Sequence, residues 1–266
     1  MLISHRRRFI FTKTIKTAGT SIEAYFEPWC VPEGHIVAEE GPQRVSAAGI
    51  VGARGSLPVW PLRPRWYNHM PAARIRRLIG RGIWDEYFKF TVVRNPFDRL
   101  VSAFYFLSAV ARPAGGFRPV LWLLRSERRI SRPPRRGRDD EETVRLFREW
   151  LPCSGWVHDR PAYCIAGRPC VDAFIRYETL QADLAEVCGR VGVPFEPQRL
   201  PRFKSQYRSR TIPLRRFYDA AAADWVRRQY EWEISRFGYE LPEESPAGEV
   251  TASSPPAGGG VRRVDR

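Results

Sequence analysis

Phe9-Ile10-Phe11-Thr12-Lys13-Thr14-Ile15-Lys16-Thr17-Ala18-Gly19-Thr20-Ser21 is the stretch on which the fold turns. Phe9-Ile10-Phe11 is a short apolar run flanked by charge, the pattern of a buried parallel strand. Small and hydroxylated residues follow, and Ile22 to Phe26 reads as helix. A second strand–turn–helix unit lies further along: Tyr87 to Val93, rich in aromatic and β-branched residues, runs through Arg94-Asn95-Pro96 into the amphipathic segment Phe97 to Val110. A third strand, Val171 to Ile175, passes through Tyr177-Glu178 into a helix over Thr179 to Val191. Strands alternating with helices predict an α/β fold: a single domain with a central, mainly parallel sheet flanked by helices.

The remaining segments fill in around these units. Pro71 to Gly80 reads as a short helix, opened by proline and stopped by glycine. The Pro- and Gly-rich stretch from Pro28 to Pro64 reads as loop. Residues 112–138 hold nine Arg and one acid, with Pro133-Pro134 inside the basic run, and read as an exposed insertion. Glu141 to Leu151 is another helix, and Asp219 to Phe237 reads as the longest, stopped by Gly238. A domain over 1–241 and a disordered tail over 242–266 are expected, the tail being rich in Pro, Gly, Ser and Glu.

The composition excludes several classes. A chain of 266 residues with 43% hydrophobic residues, nine Trp among them, buries a core without staples, so it is neither a disordered chain nor a disulfide-built miniprotein. No stretch is apolar for long enough to span a membrane, and the apolar run after Arg6-Arg7-Arg8 is too short for a signal peptide. Five cysteines without CxxC spacing argue against disulfides and zinc and for a reducing cytoplasm. The charge is the odd feature: 44 basic against 29 acidic residues give a formal +15, and only four of the cations are Lys. An anionic partner would explain the sum, and codon bias the Arg:Lys ratio.

Two constellations carry chemistry. In Lys16-Thr17-Ala18-Gly19-Thr20-Ser21 a strand hands over to a helix through small residues. Helix N-termini offer unpaired N–H groups and partial positive charge, which suits a phosphate, and Lys16 adds a mobile cation. An ordinary capped helix is the competing reading. Lys16 precedes the glycine, unlike the nucleotide triphosphatase loop, where lysine follows the glycines. In Arg94-Asn95-Pro96-Phe97-Asp98-Arg99-Leu100-Val101-Ser102, Arg94 ends a strand where open α/β sheets bind ligands. Its fork, with the Ser102 hydroxyl two helical turns on, could hold a second phosphate. Pairing of Arg94 with Asp98 is the alternative.

Taken together, Lys-Thr-Ala-Gly-Thr-Ser after one strand and Arg-Asn-Pro-Phe-Asp-Arg-Leu-Val-Ser-Ala-Phe-Tyr after another resemble the sulfotransferases that use 3′-phosphoadenosine 5′-phosphosulfate (PAPS), in their carbohydrate-type, family 2-like branch of soluble bacterial members. Tyr67-Asn68-His69-Met70, Ile175-Arg176-Tyr177-Glu178, Lys204-Ser205-Gln206-Tyr207-Arg208 and Phe237-Gly238-Tyr239 extend the resemblance over residues 1 to 241. It implies the P-loop-like sulfotransferase fold and transfer of a sulfuryl group from PAPS to a hydroxyl, of a sugar or glycan, without a metal. It further implies that Lys16 to Ser21 hold the 5′-phosphosulfate and that Arg94 and Ser102 hold the 3′-phosphate. Lys204, Tyr207 and Arg208 are then further cofactor contacts, Lys16 stabilises the leaving phosphate, and His69 is the base. Ile15 stands where proline often precedes the lysine, and Ser205-Gln206 where glycines are common. A non-catalytic nucleotide- or nucleic-acid-binding protein using the same basic cradle is the alternative function.

Overall fold

The computed structural model describes residues 1–54, 64–110, 134–154, 157–201 and 212–242. Most of the Arg-rich insertion, the tail from 243 on, and Lys204, Tyr207 and Arg208 lie outside the described residues. By their contacts the residues form two compact units. One contains Met1–Val93 and, among the described residues, the chain from Asp159 to 201; the other contains Arg94–His158 and the described residues 212–242 with their two C-terminal helices.

The first unit is built on a six-stranded sheet of order β3-β4-β1-β2-β5-β8, and β6 (Cys164–Ile165) and β7 (Arg168–Pro169) form a separate antiparallel pair. Its longest strands run parallel: β2 (Phe9–Thr12) pairs with β5 (Phe88–Val93), and β5 with β8 (Ala173–Arg176). These are the three strands read from the apolar runs, and the α/β class follows from them. The other edge is antiparallel: β1 (Leu2–Ser4) pairs with β2, and β4 (Gly49–Val51) joins β1 to β3 (Arg44–Ser46). This corrects the reading of 28–64 as loop. Strands of three residues are too short to show alternation, and tertiary pairing to β1 creates them.

Alternation along β2 and β5 gives the sheet two dry faces. Phe9, Phe11, Phe90 and Val92 pack with Ile22, Tyr25 and Phe26 of α1 (Gly19–Phe26) and with a later helix, Leu180–Val191. Phe26 sits 5.1 Å from Phe90 and 5.3 Å from Phe9, ring centre to ring centre, in tilted and edge-on contacts. On the opposite face Ile3, Ile10 and Ile50 meet Ala72 and Ile75 of α2 (Ala72–Ile79), Trp84 of α3 (Arg81–Glu86), Trp66 and Met70. The β2–α1 connection is thereby pinned from both ends.

In the second unit α4 (Pro96–Val110) is the longest helix among the described residues. Asn95 caps it, its Oδ1 accepting the Phe97 N–H at 3.1 Å, while its Nδ2 donates to the Glu240 carbonyl at 2.7 Å. Phe104 and Phe147, the latter on α5 (Asp140–Trp150), meet at 5.5 Å, and Phe147 meets Phe217 at 5.1 Å. The helix expected to run unbroken from Asp219 to Phe237 is two helices, Ala220–Gln229 and Glu231–Phe237. At Tyr230 the backbone leaves helical geometry (φ −119°, ψ 27°). Its ring stacks on His158 at 4.4 Å and lies under the Arg99 guanidinium at 5.1 Å. These tertiary partners accompany the bend, which has no proline or glycine signal in the sequence.

Candidate active site

The loop between β2 and α1 has an unusual backbone. Lys16 (φ 60°) and Ala18 (φ 63°) are both left-handed, a conformation that costs a residue with a side chain roughly 1–2 kcal/mol. His69 (φ 56°) is a third such residue. Strain of this kind persists where the surroundings over-determine it, and it marks functional sites more often than chance. Here the determinants are visible. Thr14 Oγ1 donates to the Val92 carbonyl of β5, and the Thr17 hydroxyl closes onto Thr14 Oγ1 at 2.6 Å. The Asp159 carboxylate accepts the Ile15 N–H at 2.9 and 3.0 Å.

Left-handed residues in a tight turn can bring successive backbone N–H groups into the concave arrangement that takes an anionic oxygen. Among the described residues the N–H groups of Ala18, Gly19 and Thr20 have no acceptor. No side chain caps α1 either. Lys16, Ala18 and Thr20 are half-buried, whereas Thr17, Gly19 and Ser21 are buried. The ordinary capped helix is therefore not what the chain builds. The sequence-predicted residues divide into backbone donors, a half-buried lysine, and a Thr17 hydroxyl spent on holding the loop.

Beneath the loop lies a charged cluster that the motifs did not reveal. Glu23, wholly buried one turn after Gly19, is ion-paired to the Lys13 ammonium and to the Met1 amine. One turn further, Glu27 pairs with buried Arg54 and with His35 at 3.4 Å. Lys13 Nζ also lies 3.4 Å from Asn68 Oδ1, beside His69. Gly19 permits this arrangement, because a Cβ there would meet Lys13 Cγ at 2.9 Å. One signal could have found Lys13: two of only four lysines in the chain fall within four residues of each other at this loop.

The electrostatics follow from burial. Burial alone would push the Glu23 carboxyl up, but the Lys13 ammonium and the Met1 amine outweigh it and hold Glu23 at about 2. His69 is pushed down to about 3, by burial first and the Lys13 charge second, with Glu23 opposing. Its Nδ1 is buried without a hydrogen-bond partner. The imidazole is neutral at ordinary pH.

Both shifts make the fold acid-sensitive, with separate onsets and windows that overlap below 4.5. The unfolded chain takes up the His69 proton near 6.5 and the folded one near 3, so this part of the stability is lost as pH falls below 6.5. The Glu23 part is intact above 4.5 and is lost as pH falls toward 2. His69→Gln is therefore expected to flatten unfolding free energy between the two onsets, removing a slope of up to about 1.4 kcal/mol per pH unit. Denaturant titrations at stepped pH measure it, and an unaltered slope would mean that His69 titrates normally in the folded protein.

In the second unit Arg94 follows directly on β5, and its Nε donates to Asp98 Oδ2 at 2.7 Å. Asp98 and Ser102 are four residues apart on α4, so they share a helix face. The pairing considered as the alternative for Arg94 thus exists. Ser102 is half-buried. At the end of β8, the Arg176 N–H donates to Asp183 Oδ2 at 2.8 Å, while Tyr177 is exposed. Among the described residues no group of three or more His, Cys, Asp and Glu could hold a metal ion, and no helix is long and apolar enough to cross a membrane.

No curated protein and no solved structure matches the chain. A family model does: the one described as the sulfotransferase family matches residues 1–240, which include the β2–α1 loop, His69, Arg94 and Ser102. The chain belongs to the sulfotransferase family.

Proposed function

We propose that the protein moves the sulfuryl group of PAPS to a hydroxyl of a sugar or glycan. The observation that carries this is the β2–α1 loop, where two left-handed residues and three acceptor-free N–H groups lie at a helix N-terminus beside half-buried Lys16. Such a site suits a phosphate-like oxyanion before any ligand arrives, and the residues fit the 5′-phosphosulfate. Arg94, oriented by Asp98, and Ser102 would take the 3′-phosphate; Lys204, Tyr207 and Arg208 add contacts on the strength of the family resemblance.

In the reaction the acceptor oxygen attacks sulfur, and the bond from sulfur to the 5′-phosphate oxygen breaks. His69 takes the hydroxyl proton, and Lys16 neutralises the charge that develops on the departing phosphate. An imidazole near 3 is a weak base, but phosphates seated on the loop bring negative charge that raises it toward a working value. Positioning and electrostatics carry the remaining work, as in phosphoryl transfer. Five free cysteines, three of them buried, favour a reducing cytoplasm as the setting.

Binding of 3′-phosphoadenosine 5′-phosphate (PAP), the desulfated product, is the direct test. PAP at a hundredfold its Kd should stabilise the fold by about 2.7 kcal/mol, read as a rise in Tm. Labelled sulfate from PAPS should then appear on members of a saccharide panel. The absence of any thermal shift with PAP at millimolar concentration would overturn the reading.

A further inference from the structure

Lys13 lies outside the six residues of the phosphate-loop motif, yet its side chain crosses the loop. It leaves the chain where β2 ends, passes over Gly19, and ends on Glu23, one turn into α1. Its second neighbour, Asn68, belongs to another segment, whose N–H donates to the Ala53 carbonyl at 3.0 Å and which carries left-handed His69. One buried ammonium therefore touches both the helix that presents the phosphate donors and the segment that presents the candidate base. We propose that Lys13 is a positioning residue that couples occupancy of the phosphate loop to the placement of His69.

The proposal rests on the PAPS reading above and adds a residue and a linkage to it. A buried lysine–glutamate pair is weak evidence for stability, since apolar residues of similar volume commonly pack as well. What an apolar pair lacks is a charge felt on both sides. The Lys13 ammonium opposes protonation of His69, while Glu23 favours it and the Met1 amine opposes it. Arg54 adds a further cation to the same cluster, facing the Met1 amine and held on Glu27. A dianionic phosphate on the loop would shift this balance toward the imidazolium, and any tilt of the start of α1 reaches Asn68 through the Lys13 side chain.

The test uses the full chain, PAP by calorimetry, and imidazole resonances followed by NMR across pH. In the wild type, saturating PAP is expected to raise the His69 ionisation by one unit or more. Lys13→Met keeps the stem over Gly19 and removes the charge; Lys13→Met/Glu23→Gln also removes the carboxylate that the first change leaves short of a partner. Either variant that folds should bind PAP about 10- to 100-fold more weakly, and its His69 should titrate higher without ligand and respond less to PAP. Wild-type binding of PAP with no movement of His69 would overturn the coupling yet leave the PAPS reading standing, as would variants with wild-type affinity and response. Failure of wild type to bind PAP would bring down the PAPS reading itself, and the coupling with it. If neither variant folds, the wild-type titration decides alone.

Discussion

Lys16→Ala is expected to bind PAP nearly as tightly as the wild type and to transfer sulfate about 10²- to 10³-fold more slowly, the scale of losing one preorganised charge stabiliser. The asymmetry comes from how the loop is built. The donors that would seat the ground-state phosphate are backbone N–H groups of Ala18, Gly19 and Thr20, and they owe their direction to the backbone, not to the Lys16 side chain. Alanine at position 16 meets the same left-handed φ as lysine, a strain that Ala18 already bears two residues on. The clamps on the loop, Thr14 on Val92, Thr17 on Thr14 and Asp159 on Ile15, are untouched. What disappears is a cation placed to meet charge that develops only as the sulfur–oxygen bond breaks. Such a loss lowers kcat and kcat/KM together. Undiminished transfer would remove Lys16 from the leaving-group side, and a parallel collapse of PAP affinity would make it a ground-state binder.

The same loop shows where reading the sequence succeeds and stops. Strand, small-residue turn and helix are local properties, and Phe9-Ile10-Phe11 followed by Lys16 to Ser21 displays them within thirteen residues. The parallel trio was legible for the same reason, each strand being an apolar run bounded by a polar turn. The groups that make the turn a site are not local. Ile15 meets Asp159 across 144 positions, and Asn68 meets Lys13 across 55. An ion pair leaves no periodicity behind, so Lys13, Glu23, Arg54 and Asp159 look like ordinary charged residues until the sheet brings them together. The three-residue strands β3 and β4 leave no signal in the sequence because pairing creates them, and the bend at Tyr230 leaves none because its partners, Arg99 and His158, come from elsewhere in the chain.

Arg94→Ala is expected to weaken PAP binding by about 2–5 kcal/mol, the usual cost of truncating one member of a desolvated charge contact, and so to mask any effect on turnover at modest donor concentration. Misfolding is the obvious confounder, since Arg94 is only 9% exposed and bonded to Asp98. Asp98, however, lies in the first turn of α4, where the helix dipole favours a carboxylate, and its side chain keeps 21% exposure, so water can replace the lost partner. The variant should fold. Specificity then separates a role at the 3′-phosphate from a general loss. Wild type should prefer PAP strongly over adenosine 5′-monophosphate, which lacks that phosphate, whereas Arg94→Ala should bind the two nearly alike and match the wild type on the monophosphate. Arg94→Lys should recover only part of the preference, because a point charge cannot reproduce a fork shared between Asp98 and a phosphate. Equal losses for both nucleotides would assign Arg94 to the architecture of α4, and full affinity for PAP would move the 3′-phosphate away from this residue altogether.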